Sequence, residues 1–190
     1  MIACRRIAGL ALLLLLTVGG SLGTLPARAV TVTGTNHMAL CGVSGAFQLP
    51  DGSTLRVRLA LDDEDKKRGL SGFRETDFAE DEALLMVGFN NNQRSINMGD
   101  TFFNIDVFFL DDDLKVVGLQ RNLKAHPGRV EPPAIENSEW VFARHIMEMR
   151  SGSSYANRIQ QGMVLRWQSQ PTIKDIERCM ANVWNRANQR

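Results

Sequence analysis

Metal-binding residues are scarce in this chain and badly spaced. Its 190 residues include three cysteines and three histidines. Cys4, Cys41 and Cys179 form no Cys-x-x-Cys pair, and His37, His126 and His145 stand far apart. Zinc ligands recur at short fixed spacings, so this pattern argues against such a site, and no metal or cofactor is expected. Catalytic signatures are missing too: there is no Gly-x-Ser-x-Gly, no His-Glu-x-x-His and no P-loop. A basic excess is also lacking. The formal net charge is +1, which argues against a general binder of nucleic acid or of anionic membrane. No internal repeat or low-complexity tract occurs. Beyond the first thirty residues no apolar run approaches the ~20 residues of a membrane span.

What is present begins with the leader. Residues 1–29 open on Met1-Ile2-Ala3-Cys4-Arg5-Arg6, continue through an apolar stretch, and end on Ala27-Arg28-Ala29. A basic start, a short apolar core and a small-residue cleavage site make a secretory signal pattern. Cleavage is expected after Ala29, with a periplasmic or extracellular destination and no stable membrane insertion afterwards. Arg5, Arg6 and Arg28 leave with the leader, so the mature charge becomes −2. Cys41 and Cys179 remain. In an oxidising compartment an even pair usually bridges. Two buried thiols are the alternative reading.

The mature chain is one domain by length. Its organising stretch is Ser95–Leu110. From Phe102 to Leu110 the residues alternate as in a strand, with Phe103, Ile105, Val107 and Phe109 on one side and Phe102, Asn104, Asp106, Phe108 and Leu110 on the other. Both sides are largely apolar, so the strand is expected to be buried on both faces. Asp106 is its anomaly. A buried carboxylate needs a cation, hydrogen-bond donors or a proton. Arg68, Arg74 and Arg94 are the candidate partners. A structural ion pair is the first reading, and ligand binding or acid–base work the second.

Around this hub, Leu55 to Leu61 alternates as a half-buried strand. Asp62 or Asp63 caps a short charged helix that Gly69 stops. Leu84–Phe89 is an apolar strand, Asp111-Asp112-Asp113 a turn into a strand over Leu114–Leu119, and Lys124–Ser138 a long irregular segment. Val141–Met149 is a strand, Ser151–Gln161 a short helix closed by Gly162, and Met163–Trp167 a last strand. Thr172 and Asp175 form a capping pattern for a C-terminal amphipathic helix striped by Ile173, Ile176, Met180, Val183 and Ala187. The fold expected is mainly β, a mostly antiparallel sandwich or barrel-like domain over 55–167. It carries two or three short helices, an N-terminal extension over 30–54 and a helical extension over 168–190.

The order of motifs resembles the domain of unknown function 192 family of bacterial and archaeal proteins. Arg68-Gly69-Leu70 and Arg74 match its Arg-Gly-Leu-Met segment, and Leu84–Phe89 its Met-Leu-Phe-type strand. Met98, Thr101, Ile105, Asp106 and Phe109 match its Trp-Met-Lys-Asn-Thr run and the apolar strand that follows. Met147-Glu148-Met149 with Gly152 match its late Leu-Glu-Leu-x-x-Gly. Asn97, Gly99, Asp100 and Asn104 depart from the pattern, standing where the family has Trp, Lys, Asn and Pro. The resemblance implies a small β domain, often behind a signal peptide, and no reaction.

Function is read in this order. The first expectation is an exported, non-catalytic binding or interaction module of the cell envelope, with an unknown small molecule or an envelope protein as partner. The alternative is a small hydrolase-like enzyme using Asp106 with Arg68. A purely structural subunit is the third. The residues expected at a ligand site are Arg68, Arg74, Asp100, Thr101 and Asp106.

Overall fold

Strand β2 (Thr54–Ala60) forms where apolar and basic residues alternate, and it buries Leu55, Val57 and Leu59. The computed structural model describes residues 45–88 and 90–187, with side chains as far as residue 182. Upstream of β2, β1 (Gly45–Gln48) pairs with it antiparallel through the turn at residues 49–53. β1 thus lies within the stretch expected as the N-terminal extension, 30–54. Cys41 lies outside the described residues, as does the leader, so the pairing of Cys41 with Cys179 falls outside them too. Cys179 itself is half-buried.

After β2 comes helix α1 (Asp63–Arg68). Asp62 caps it, its carboxylate accepting the Asp65 N–H at 2.7 Å. Three acids in the first turn and three bases in the last oppose the helix dipole. Gly69 ends it at φ +53°, in the left-handed region. The chain then passes a short 3-10 turn (Glu75–Asp77) and enters β3 (Glu82–Met86), which pairs with β2 in parallel. A parallel pair needs a crossover, and α1 with its following loop supplies it.

The organising stretch is a strand only over its last six residues, β5 (Ile105–Leu110), all of them buried. Residues 95–104 are irregular, held by isolated bridges to 126 and 137. A short ribbon, β4 (Asn92–Arg94), precedes them. The acidic turn carries β5 into β6 (Val116–Leu123). The strand expected over 141–149 divides at Arg144 into β7 (Val141–Ala143), which pairs with β4, and β8 (His145–Arg150), which lies between β5 and β3. The helix expected over 151–161 is only a 3-10 turn (Ala156–Arg158), and the final strand β9 spans Arg166–Trp167.

The main sheet runs β6-β5-β8-β3-β2-β1-β9, with β4-β7 as a separate ribbon. The expectation holds in its coarser form: the domain is mostly β, a curled mixed sheet with two α-helices. Seven of its strands belong to one sheet, and β2–β3 breaks the antiparallel order. Residues 162–167 hydrogen-bond first along the start of β6 and then, as β9, along β1. The C-terminal helix α2 (Ile173–Ala187) begins with the expected capping box, in which Asp175 N–H donates to Thr172 Oγ1 and Thr172 N–H to Asp175 Oδ2, both at 3.2 Å. Ile173, Ile176 and Met180 of its stripe are buried.

Candidate functional site

Alternation along β5 and β8 sorts the buried acids. Glu148 lies opposite Val107, and Asp106 opposite Met149. Neighbours on a strand point to opposite faces, so Asp106 and Glu148 emerge on different sides of the sheet.

Asp106 is fully committed to structure. The β5–β6 pairing advances two residues on β5 from Ile105 to Val107 but three on β6 from Leu123 to Gln120, which is a β-bulge. The Asp106 carboxylate fills that bulge. Oδ1 accepts the Asn122 N–H at 2.8 Å, and Oδ2 pairs with Arg121 Nη1 at 2.8 Å. Arg121 reaches on to the carbonyls of Ala156 and Ile159, at 2.8 and 2.5 Å. The cation is thus Arg121, and none of Arg68, Arg74 and Arg94 fills that role.

On the other face, α1 and the loop behind it overhang the sheet and enclose a cleft of about 500 Å³. Lys66, Lys67, Arg68, Arg94 and Arg129 line it, against the acids Asp63 and Glu148. Glu148 is 2 % exposed and sits among Leu70, Met86 and Ile146. Its Oε2 accepts the Leu70 N–H at 2.9 Å. Burial pushes its carboxyl up to about 7, against the opposing pull of that hydrogen bond. Gly69 allows this approach: a methyl there would stand 2.9 Å from both Glu148 Oε2 and the Met86 methyl.

The cations are held by geometry of their own. Arg94 Nε donates to the Ala143 carbonyl at 3.0 Å and Nη2 to the Asn90 carbonyl at 2.9 Å. Burial first, and then the neighbouring Arg144, lower its pKa. Burial likewise lowers that of Lys66, and Arg94 adds to the effect. Arg68 lies over the Phe73 ring, 4.8 Å from its centroid. Arg129 belongs to a loop pinned by His126, whose two ring nitrogens face the carbonyls of Gly128 (3.1 Å) and Pro133 (2.9 Å). Those two acceptors raise the imidazole pKa.

Of the five residues expected at a ligand site, the structure brings Arg68 and Thr101 to the cleft. Thr101 is buried and donates its hydroxyl to the Met98 carbonyl. Asp100 stands between two lining residues at φ +64°, its N–H bonded to the Gly128 carbonyl at 2.6 Å and its carbonyl to the Gly72 N–H at 2.8 Å. Arg74 stacks on Phe102, 3.7 Å from the centroid, away from the cleft. Asp106 is on the opposite face, so it cannot work with Arg68. Sequence reasoning missed Glu148, Arg94 and Arg129 as site residues. Glu148 carried the same signal as Asp106, an acid inside an apolar strand.

The family profile of domain of unknown function 192, described as "Uncharacterized ACR", matches residues 47–167. No curated protein matches the chain. Solved structures share the fold, among them two crystal structures. A protein from Sinorhizobium meliloti 1021, described as a candidate transcription regulator, is 24 % identical with a TM-score of 0.51; the match covers 65 % of this chain and 92 % of that one. A protein of unknown function from Novosphingobium aromaticivorans DSM 12444 is 18 % identical with a TM-score of 0.52, over 76 % of this chain and all of that one. The match spans the sheet from β1 to β9 and both walls of the cleft, and the chain belongs to the domain of unknown function 192 family.

Proposed function

We propose that this protein is an exported, non-catalytic binding module of the cell envelope, and that its cleft holds a small anionic molecule. The observation that carries the reading is the charge of the cleft. Five cations and two acids share one concavity, and one of the acids, Glu148, is held towards its neutral form. Lys66 and Arg94 carry their charges at a cost in lost hydration, which an incoming anion offsets. A volume of about 500 Å³ suits a small molecule. Export rests on the signal pattern of residues 1–29.

A thermal-shift screen of sulfate, phosphate, sugar acids, amino acids and nucleotides tests this. A ligand at about 100 times its dissociation constant adds ~2.7 kcal/mol, a rise of roughly 5–10 °C for a domain of this size. The rise is expected for anions and is expected to disappear in Arg94→Gln. A screen in which no anion shifts the melting temperature rejects the reading.

A further inference from the structure

The cleft is not lined by charge alone, and its other surfaces narrow the class of anion. Trp140 lies on the rim and is 70 % exposed. An indole left in water beside a cavity is a platform without an intramolecular use. It belongs to the short run leading into β7. Phe142, two residues on, is exposed as well. The lining also includes neutral hydrogen-bonding side chains, Gln93, Asn97 and Ser71, the last donating its hydroxyl to the Gly99 carbonyl at 3.0 Å. Asn97 is already oriented, with Oδ1 accepting the Gly99 N–H and Nδ2 donating to Asn137 Oδ1, both at 2.9 Å. The Glu148 carboxyl lies at the floor, bonded on one side to Leu70 N–H.

Each surface selects a different part of a ligand. Arg94 spends Nε and Nη2 on the Ala143 and Asn90 carbonyls, and the remaining N–H groups at its tip, with the guanidinium of Arg68, present planar donors that match a carboxylate. Amides and hydroxyls both donate and accept, as a row of ligand hydroxyls requires. The exposed indole offers an electron-rich face to a weakly polar C–H surface. A pyranose ring has all three complements at once: an apolar C–H face, a rim of hydroxyls and, in a sugar acid, a carboxylate. A bare inorganic anion uses only the first surface. A neutral sugar brings no charge to meet the guanidiniums.

Resting on the reading of the cleft as an anion site, we infer that its ligand is a saccharide carrying a carboxylate, with the ring stacked on Trp140 and the carboxylate among Arg68 and Arg94.

Calorimetric titration of the full-length protein with D-galacturonate, D-glucuronate, D-galactose and inorganic phosphate tests this. The expected result is that at least one uronate binds tenfold or more tighter than galactose and than phosphate. Trp140→Ala, a change at an exposed position, is expected to weaken that uronate at least tenfold and to leave phosphate within twofold. Two results overturn the inference while leaving an anion site intact: phosphate binding as tightly as either uronate, or uronate binding indifferent to Trp140→Ala. Absence of binding by any of the three anions overturns both the inference and the reading beneath it. Galactose binding as tightly as the uronates overturns the assignment of the carboxylate to the arginines.

Discussion

Two buried side chains give this protein opposite responses to pH. Burial pushes the Glu148 carboxyl from its ordinary value of 4.5 in the unfolded chain up to about 7 in the folded one. The folded state therefore loses stability as pH rises from about 4.5 to about 7, by ~3 kcal/mol for a gap of this size. His145 works the other way. Its Nδ1 accepts the Gly88 N–H at 3.1 Å, and burial lowers its pKa from 6.5 to about 4. Its contribution is whole above pH 6.5 and is lost as pH falls towards 4. Between about 4.5 and 6.5 the two slopes oppose each other. Glu148→Gln removes one of them while keeping an acceptor for the Leu70 N–H. Urea unfolding across pH 4–8 is expected to show this variant gaining on the parent by ~3 kcal/mol between the acid and neutral ends. A constant difference across that range contradicts a carboxyl raised by burial.

Asp106 acts at the scale of an element, because it braces a bulge more than it pairs with a residue. The extra residue on β6 leaves the Asn122 N–H without a ladder partner, and Asp106 supplies one while fixing Arg121 over the 156–159 turn. Asp106→Asn keeps the shape and removes the charge. It is expected to cost about 2–3 kcal/mol, since breaking a buried pair strands the other charge and Arg121 retains some contact with solvent. That corresponds to a fall of roughly 5–10 °C in melting temperature, and an unchanged value contradicts the bracing role. This element also shows what the sequence could reveal. An acid in an apolar strand was legible as an anomaly, because alternation is local. Its partner was not, because Arg121 faces Asp106 only through a register that the bulge shifts. The split at Arg144 was hidden for a similar reason. β7 and β8 are one apolar run in sequence, and they part only because β4 and β5 compete for them. Gly88 makes room for that parting: a methyl there would fall 1.8 Å from the Arg144 carbonyl.

At the scale of the molecule, local signals placed α1, the β5–β6 hairpin and the capped α2. The parallel β2–β3 pair and the cleft it builds needed contacts between distant segments, which a single chain does not display. The C-terminal helix is tied to the sheet by more than its apolar stripe. Glu177 Oε1 pairs with Arg144 Nε at 2.8 Å, and Arg144 also reaches Asp112 at 2.9 Å. α2 therefore belongs to the body, so Cys179 is presented by an anchored helix. The exported reading expects Cys41 and Cys179 to bridge. Thiol titration of the denatured, unreduced mature protein is then expected to find no reactive group, and two titratable thiols reject the bridge. In the chain-entropy account such a bridge adds roughly 4–5 kcal/mol.

The run over 162–167 has a consequence for how copies of this chain meet. The rim strands of a sheet are templates on which a foreign strand can grow. Here one short segment pairs with Phe47 and Gln48 on the outer side of β1 and bonds to Leu114 and Val116, where β6 begins. Farther along β6 the bulge at Arg121 and Asn122 distorts the remaining rim. The described chain thus covers part of one rim with its own backbone and distorts part of the other. Crowding at high concentration is accordingly expected to leave it dispersed, with recognition confined to side chains and not lent to its backbone.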